Sequence, residues 1–170
     1  MADYVTGGAT GVAPTFFAVT RNAGGTVVAS APARADGCGY DVQAVFTPAS
    51  ANDSVTISSP GYISGRISGG DKIRMMCEIG LAGVVAANLK TLTSFLTFDN
   101  GSTTKVVTVL FPQSTDPTTY IGKDVVMTLI SHEIVVPAGY TNVAFAFTAT
   151  ASASGSALTI KIGRLSIEKT

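Results

Sequence analysis

The chain has 170 residues, and its 11 Lys and Arg residues balance its 11 Asp and Glu residues, so the formal net charge is zero. Charged residues make up only 13% of the sequence, which provides no basic surface for phosphates and predicts no nucleic-acid partner. Hydrophobic residues make up 46%, enough for one folded domain. The N-terminal stretch MADYVTGGATG lacks the regions of a signal peptide, and no apolar run approaches the ~18 residues of a membrane helix. We therefore expect a soluble protein made in the cytoplasm, with no membrane partner.

Residues 1–25 are rich in Gly, Ala and Thr and show no clear periodicity before Phe16. We predict an extended N-terminal arm over this range, followed by one β-sandwich domain over residues 26–170. Two interpretations of the arm stay open. It is either a disordered leader or a segment that packs Phe16 and Phe17 against a neighbouring subunit.

From Thr26 onward, about ten short runs of β-forming residues follow one another, each bounded by Gly, Pro, Asn, Asp or Ser. This spacing predicts an all-β fold, either a sandwich or a barrel. The clearest strand runs from Lys72 to Leu81, where apolar and polar residues alternate. Since side chains alternate across a strand, one face of this strand belongs to the core and the other to solvent.

The runs TKVVTVLF and DVVMTLISHEIVV are apolar on both sides of the strand. A strand of this kind either lies centrally with both faces covered or contributes to a subunit interface. The candidate interface residues are Phe16 and Phe17 in the arm and Val107, Val109 and Phe111 in the first of these runs.

Local signals also predict two turns and one irregular strand. The sequence FDNG at residues 98–101 favours a hairpin, because Asn and Gly tolerate left-handed φ values. The small-residue tract at 148–157 suits a second hairpin around Gly155. In the last strand, ALTIKIGRLSIE, the apolar residues change parity at Gly163 and Arg164, which predicts a β-bulge.

Three segments in the second part of the chain occur in a familiar order: GYISGRISGGDKIRMMCEI, VVPAGYTNVAFAFTA and ALTIKIGRLSIE. Through this order of turns and strands, residues 61–170 resemble the jelly-roll carbohydrate-binding modules of the galactose-binding-like type. The resemblance implies a jelly-roll β-sandwich of about 8–10 antiparallel strands and, for function, sugar binding. Relatives often keep an acidic residue for a structural Ca²⁺ before the final strand segment, where this sequence has Gly163 and Arg164.

Sugar platforms in that family lean on Trp and Tyr, and this chain has no Trp. The candidate glycan contacts are therefore Tyr62, Tyr120 and Tyr140. The alternative for these tyrosines is the usual one at a sandwich rim, where the ring is buried and the hydroxyl is hydrated.

Patterns typical of catalysis and metal binding are missing from the sequence. His132 is the only histidine, and strand alternation places its neighbour Glu133 on the opposite face. The acidic residues occur singly, mostly at turns, without the pairing that a glycosidase needs. Cys38 and Cys77 lack metal-ligand spacing; we predict Cys77 as a buried free thiol, with a Cys38–Cys77 disulfide as the alternative. We expect no enzyme activity, no cofactor and no metal.

A small jelly roll with a flexible arm and Gly-, Ala-, Ser- and Thr-rich loops also resembles bacteriophage virion proteins. That resemblance implies location in the virion, other virion proteins as partners, the major capsid protein first, and a homo-oligomer, with a trimer favoured over a dimer. Our primary hypothesis from the sequence is a capsid decoration (cement) protein that stabilises the shell through subunit contacts. The alternatives are a glycan-binding receptor-recognition module of a tail fibre or spike, and a tail or neck adaptor.

Overall fold

The computed structural model describes residues 5–6, 10–11, 17–34, 41–59, 63–64, 67–109 and 117–170. Within these ranges the chain forms strands β1 to β14, one 3-10 turn at Pro117–Tyr120 and no α-helix. The strands build two sheets of seven, which pack face to face around one core. The predicted all-β jelly-roll sandwich is therefore confirmed. No helix among these residues is long and apolar enough to cross a membrane.

Sheet A consists of β1 (Val5–Thr6), β3 (Ala18–Asn22), β6 (Ser54–Ser58), β7 (Ile63–Ser64), β9 (Thr91–Asp99), β10 (Thr104–Thr108) and β13 (Asn142–Thr150). Its strand order is β1-β3-β6-β13-β9-β10, and β7 also pairs with β13. Sheet B consists of β2 (Thr10–Gly11), β4 (Thr26–Ser30), β5 (Val42–Thr47), β8 (Lys72–Ala82), β11 (Val125–Ile130), β12 (Ile134–Val135) and β14 (Leu158–Lys169). Its order is β11-β8-β14-β5-β4-β2, and β12 also pairs with β8.

The core lies between the two sheets and is built by strict alternation along the strands. In β13 every second residue is buried, and β5 and β9 follow the same pattern. Sheet B contributes Phe46, and sheet A contributes Phe98 and Phe145; none of the three is more than 1% exposed. Burying a side chain of this size stabilises the fold by roughly 1.5–3 kcal/mol relative to leaving it exposed.

The described part of the N-terminal segment belongs to the sandwich itself. β1 pairs in parallel with β3 at the edge of sheet A, and β2 pairs in parallel with β4 at the edge of sheet B. β3 pairs with β6, and its Val19 is fully buried. The sandwich therefore begins before residue 26, and these short pairings cover backbone groups at two sheet edges. Phe16 lies outside the described residues.

β10 occupies the edge of sheet A in the described part of the chain, so the central position considered for TKVVTVLF is wrong. Val109 is buried just beyond this strand, while Val107 and Phe17 are partly buried and pack against the core. The structure thus gives these three candidate interface residues a role in the core of their own chain. Phe111 lies outside the described residues.

The predicted hairpin at residues 98–101 is confirmed, since β9 and β10 pair in antiparallel register from Asp99 and Thr104. Gly101 has φ +85, and its N–H donates to Asp99 Oδ2 at 3.0 Å. The tract 148–157, in contrast, does not form a hairpin. It connects β13 in sheet A to β14 in sheet B and so crosses from one layer to the other.

The parity change in β14 is a β-bulge, as predicted. Ile162 pairs with Ile79 and Leu165 pairs with Cys77, so three residues of β14 advance against two of β8. Because of this extra residue, Leu165 returns to the core side of the sheet. Without the bulge, the second half of the strand would direct its apolar residues to solvent.

Candidate functional site

The outer face of sheet B contains a groove that runs across the strands. Val126 of β11, Gly80 of β8 and Lys161 of β14 are paired neighbours on three adjacent strands. They span about 10 Å perpendicular to the strands, given an interstrand distance of about 4.8 Å. Gly80 has no side chain, so the groove is deepest between the other two residues. We call this depression the sheet B groove.

Two adjoining cavities make up the groove. The larger has a volume of about 400 Å³, and its described lining residues are Arg34, Asp41, Glu78, Gly80, Val126, Lys161 and Gly163. The smaller has a volume of about 230 Å³, and its described lining residues are Gly80, Leu81, Ala82, Asp124, Val125, Val126, Thr159 and Lys161. Since Gly80, Val126 and Lys161 belong to both, the cavities form one continuous surface.

One end of the groove is held by an ion-pair cluster around Arg34. Its guanidinium donates through Nη1 to Asp41 Oδ1 at 2.7 Å and through Nη2 to Glu78 Oε2 at 3.2 Å. The Arg34 side chain is only 10% exposed, against 20% for Asp41 and 33% for Glu78. The arginine is thus fixed from two strands, and both carboxylates keep oxygen lone pairs at the wall of the groove.

Gly163 makes room for this cluster. A Cβ added at Gly163 would overlap Arg34 Nη1 and would lie 3.1 Å from Asp41 Oδ1. The β-bulge places this glycine beside the groove, and the missing side chain lets the guanidinium lie directly against the strand. The feature that looked like a strand irregularity in the sequence therefore shapes a wall of the cavity.

Lys161 contributes a cation of a different kind. It is exposed and forms no ion pair within the described residues, whereas its aliphatic stem lies over Gly80, where an added Cβ would be 3.3 Å from Lys161 Cβ. Val126, with 76% exposure, adds an apolar surface on the opposite side of Gly80. The groove therefore combines hydrogen-bond donors, carboxylate acceptors and apolar patches. None of its described lining residues is aromatic.

The three tyrosines predicted as glycan contacts do not come together. Tyr120 is 8% exposed, and its hydroxyl donates to Met127 Sδ at 3.5 Å. It lies beyond the C-terminal end of β8, because the N–H of Gly122 donates to the Val84 carbonyl. Tyr140 is half-buried near the opposite end of β8, with its hydroxyl 3.2 Å from Thr103 Oγ1. Tyr62 lies outside the described residues.

The nucleophilic and metal-binding side chains are dispersed. Cys77 is a free, fully buried thiol, as predicted, and burial, with a smaller effect of the Glu78 charge, raises its pKa to about 12. His132 is exposed in the connection between β11 and β12 rather than within a strand. Across the described ranges, no three His, Cys, Asp or Glu side chains are grouped as metal ligands. Cys38 lies outside them.

Most residues that form the groove are not predictable from the sequence. Arg34, Asp41 and Glu78 come together only through the pairing of β5, β14 and β8, which no local pattern reveals. One signal was available: Gly80 stands at an outward position in the long alternating strand β8. A glycine inside a strand often marks a place where a ligand or another backbone approaches closely.

The outer face of sheet A contrasts with this groove. On β3, β6, β9, β10 and β13, most outward residues are small. Asp99 is the one ionisable side chain among them. They are Ala18, Thr20, Asn22, Ser54, Thr56, Ser58, Thr91, Thr93, Phe95, Thr97, Asp99, Thr104, Val106, Thr108, Asn142, Ala144, Ala146, Thr148 and Thr150. We call this surface the sheet A face.

Comparison with solved structures places the fold among carbohydrate-binding modules. A β-sandwich carbohydrate-binding module with promiscuous specificity aligns with a TM-score of 0.61 at 9% identity, over 91% of this chain and 57% of its own. The xylan-binding domain from a Paenibacillus barcinonensis protein aligns with a TM-score of 0.52 at 11% identity, over 89% of this chain and 85% of its own.

Part of a viral protein has a similar fold. The enzymatically active domain of tailspike protein 4 from bacteriophage CBA120 aligns with a TM-score of 0.55 at 10% identity, over 91% of this chain. The chain spans about a fifth of that tailspike structure, 19%, and just over half of the promiscuous module. No protein-family model and no curated protein sequence matches the chain. The likeness shows the fold, a β-sandwich of the carbohydrate-binding-module type.

Proposed function

We propose that the protein is a non-catalytic glycan-binding module and that the sheet B groove holds the glycan. The observation that carries this proposal is the groove itself, a continuous depression across three strands in a fold shared with carbohydrate-binding modules. Concave sites with a few fixed polar groups and apolar patches are typical of ligand binding. We prefer this function, a glycan-binding module, to the capsid decoration that was our primary hypothesis from the sequence.

The chemistry of the lining suits a polyhydroxylated ligand. A sugar hydroxyl both donates and accepts hydrogen bonds, so it pairs with carboxylates as well as with cations. Asp41 and Glu78 offer acceptor oxygens that Arg34 holds in place, and Lys161 offers a donor. The exposed Val126 side chain and the Lys161 stem offer apolar surface to the C–H face of a sugar ring.

The apolar part of the described lining is aliphatic. Val126 and the stem of Lys161 each offer a smaller contact area than an aromatic ring, so each of these contacts adds modestly to affinity. Several copies that act together on a polymer would strengthen binding.

The structural similarity to a tailspike domain supports a place in a phage tail fibre or spike more than in a capsid shell. Within the described part of the N-terminal segment, β1, β2 and β3 all pair with strands of the same chain. Capsid decoration was proposed to rely on that segment as a clamp to a neighbour, so these pairings lend it no support. Virion location stays part of the proposal.

Glycan-binding measurements on variants of the groove test the proposal. Affinity electrophoresis and titration calorimetry would use soluble xylan and purified bacterial surface polysaccharides. Lys161→Ala should weaken binding about tenfold or more, since a hydrogen bond to a charged group contributes roughly 1.5–3 kcal/mol. Gly80→Leu should abolish binding by filling the floor of the groove.

Lys72→Ala is the matched control. Lys72 is also an exposed lysine on sheet B, but it pairs with Glu133 Oε1 at 2.8 Å and does not line the groove. Its replacement should leave glycan binding unchanged. The proposal fails if the folded protein binds none of the polysaccharides, or if Lys161→Ala and Gly80→Leu bind as tightly as the unaltered chain.

A further inference from the structure

The sheet A face carries an ordered row of hydroxyl side chains. Thr20, Thr56, Thr148 and Thr93 are paired neighbours on β3, β6, β13 and β9, so four threonines cross the sheet in one line. Side chains of this size give this row a nearly even height. Threonine and alanine also lose little rotamer entropy when they are covered, in contrast to Lys, Glu or Arg.

The two central hydroxyls of this row, those of Thr56 and Thr148, are hydrogen-bonded within the sheet. Thr56 Oγ1 and Thr148 Oγ1 are 2.9 Å apart, and Asn22 Nδ2 donates to Thr56 Oγ1 at 3.0 Å. A hydroxyl that is hydrogen-bonded within its own sheet loses less when water is removed than one that depends on water. At Thr56 and Thr148, the sheet A face can therefore be covered by a partner that supplies few hydrogen bonds of its own.

The scarcity of charge on the sheet A face favours a second copy of this chain as the partner. Asp99 is the one ionisable outward residue on the five strands, and it lies at the end of β9. In a two-fold contact each patch meets a copy of itself, so a charged patch would meet like charge. A face with an uncharged centre has no such penalty, and a sequence of zero net charge adds no long-range repulsion between copies.

The size of the face is sufficient for a modest interface. Five strands about 4.8 Å apart are about 19 Å wide; β9 and β13 extend about 27 Å, whereas the five-residue strands β3, β6 and β10 extend about 14 Å. Each copy would cover roughly 350 Å², and the pair roughly 700 Å², which is in the range of weak, transient interfaces. The expected complex is concentration-dependent rather than permanent.

We propose that the sheet A face binds the sheet A face of a second copy, with the two sheets packed across a two-fold axis. Such a contact closes as a dimer, the smaller of the two oligomers considered from the sequence. The sheet B grooves then lie on opposite outer surfaces of the dimer. Where the grooves bind glycan, which rests on the proposed function, the dimer presents two sites that face in opposite directions and can each hold a polymer chain.

The test is the oligomeric state of the full chain, measured by sedimentation equilibrium and light scattering over a wide concentration range. The unaltered chain should form a reversible dimer. Ala146→Arg on the central strand β13 should weaken dimerisation about tenfold or more, because two arginines would be buried near each other. Thr93→Arg is an independent second variant, in case one substitution impairs folding, which circular dichroism and thermal melting would detect.

Val28→Arg is the matched control, since Val28 is 49% exposed on β4 of sheet B and does not line the groove. It should dimerise like the unaltered chain. The inference is overturned by a chain that stays monomeric, by a trimer, by a dimer that survives both sheet A variants, or by equal disruption with Val28→Arg. None of these results depends on glycan binding, so failure here leaves the proposed function standing.

Discussion

The two outer faces of the sandwich differ in shape and in charge. The sheet A face is even and uncharged at its centre, with hydroxyls that bond to one another. The outer face of sheet B is cut by a groove where glycines remove side chains and Arg34 fixes two carboxylates. A flat surface favours contact with another flat surface, while a groove with fixed polar groups favours a small or chain-like ligand. The difference arises only from outward positions, since the inner faces share one core.

The largest expected effect tests that shared core. Phe145→Ala in sheet A and Phe46→Ala in sheet B should each lower the free energy of unfolding by about 3–5 kcal/mol, because each leaves a cavity between the sheets. Phe95→Ala should cost less than about 1.5 kcal/mol, because Phe95 is a partly exposed outward residue of β9. Urea unfolding of the three variants measures the difference.

Equal losses for Phe95 and Phe145 would contradict the assignment of inner and outer sides in sheet A. A much smaller loss for Phe46 than for Phe145 would instead show that sheet B can unfold separately, against a single core. The unfolding slope with denaturant distinguishes these cases, since it reports the area exposed in the transition.

Local patterns in the sequence were enough to predict the fold. Alternation marked β8 and β13, the FDNG turn marked the β9–β10 hairpin, and the parity change at Gly163 and Arg164 marked the bulge in β14. Each of these signals lies within a dozen residues, where backbone geometry and side-chain direction are coupled. The class of fold follows from many such signals in succession.

The groove and the edge position of β10 were not predictable in the same way. Arg34 and Glu78 are 44 residues apart and meet because β14 lies between β5 and β8. The tract 148–157 has the composition of a hairpin, but its flanking strands belong to different sheets. Which strands become neighbours depends on packing of the whole chain, and apolar residues on both sides of a short run do not specify a central position.

Arg34 and Lys161, two cations of the sheet B groove, should contribute differently to stability. Arg34→Ala should lower the free energy of unfolding by about 1–2 kcal/mol, because it leaves Asp41 and Glu78 without their shared partner in a partly buried site. Lys161→Ala should change stability by less than about 0.5 kcal/mol, since this exposed lysine has no ion pair within the described residues. Thermal and urea unfolding provide both values.

The paired measurement is glycan affinity, which both substitutions should reduce. A loss of stability without loss of affinity for Arg34→Ala would assign the cluster to the fold alone. A loss of stability for Lys161→Ala as large as that for Arg34→Ala would show that Lys161 is a structural residue, and the groove would then lack an available donor at its centre.

The smallest expected effect concerns ion pairs of sheet B that have no counterpart on the sheet A face. Lys169 Nζ lies 2.8 Å from Asp71 Oδ1, and this hydrogen bond, with one from the Ser68 N–H, holds the pKa of Asp71 below its ordinary value of 3.8. A carboxylate with a lowered folded-state pKa stabilises the fold fully above the unfolded-state value, and this contribution is lost as pH falls through the folded-state value. Asp71→Asn should therefore reduce stability at pH 7 and have no further effect in strong acid.

Lys169→Gln provides the matched variant because it removes the other half of the same pair. Since the Lys169 side chain is exposed and the Asp71 side chain is only partly buried, each substitution should shift the melting temperature only slightly, and the double variant should lose less than the sum of the single losses. Added salt should reduce the difference between the variants and the unaltered chain, because surface pairs are screened. If Asp71→Asn lowers stability equally at pH 7 and in strong acid, the Asp71 side chain acts through its shape and hydrogen bonds rather than its charge. In that case, the ion pairs that distinguish sheet B from the sheet A face are not the source of acid sensitivity.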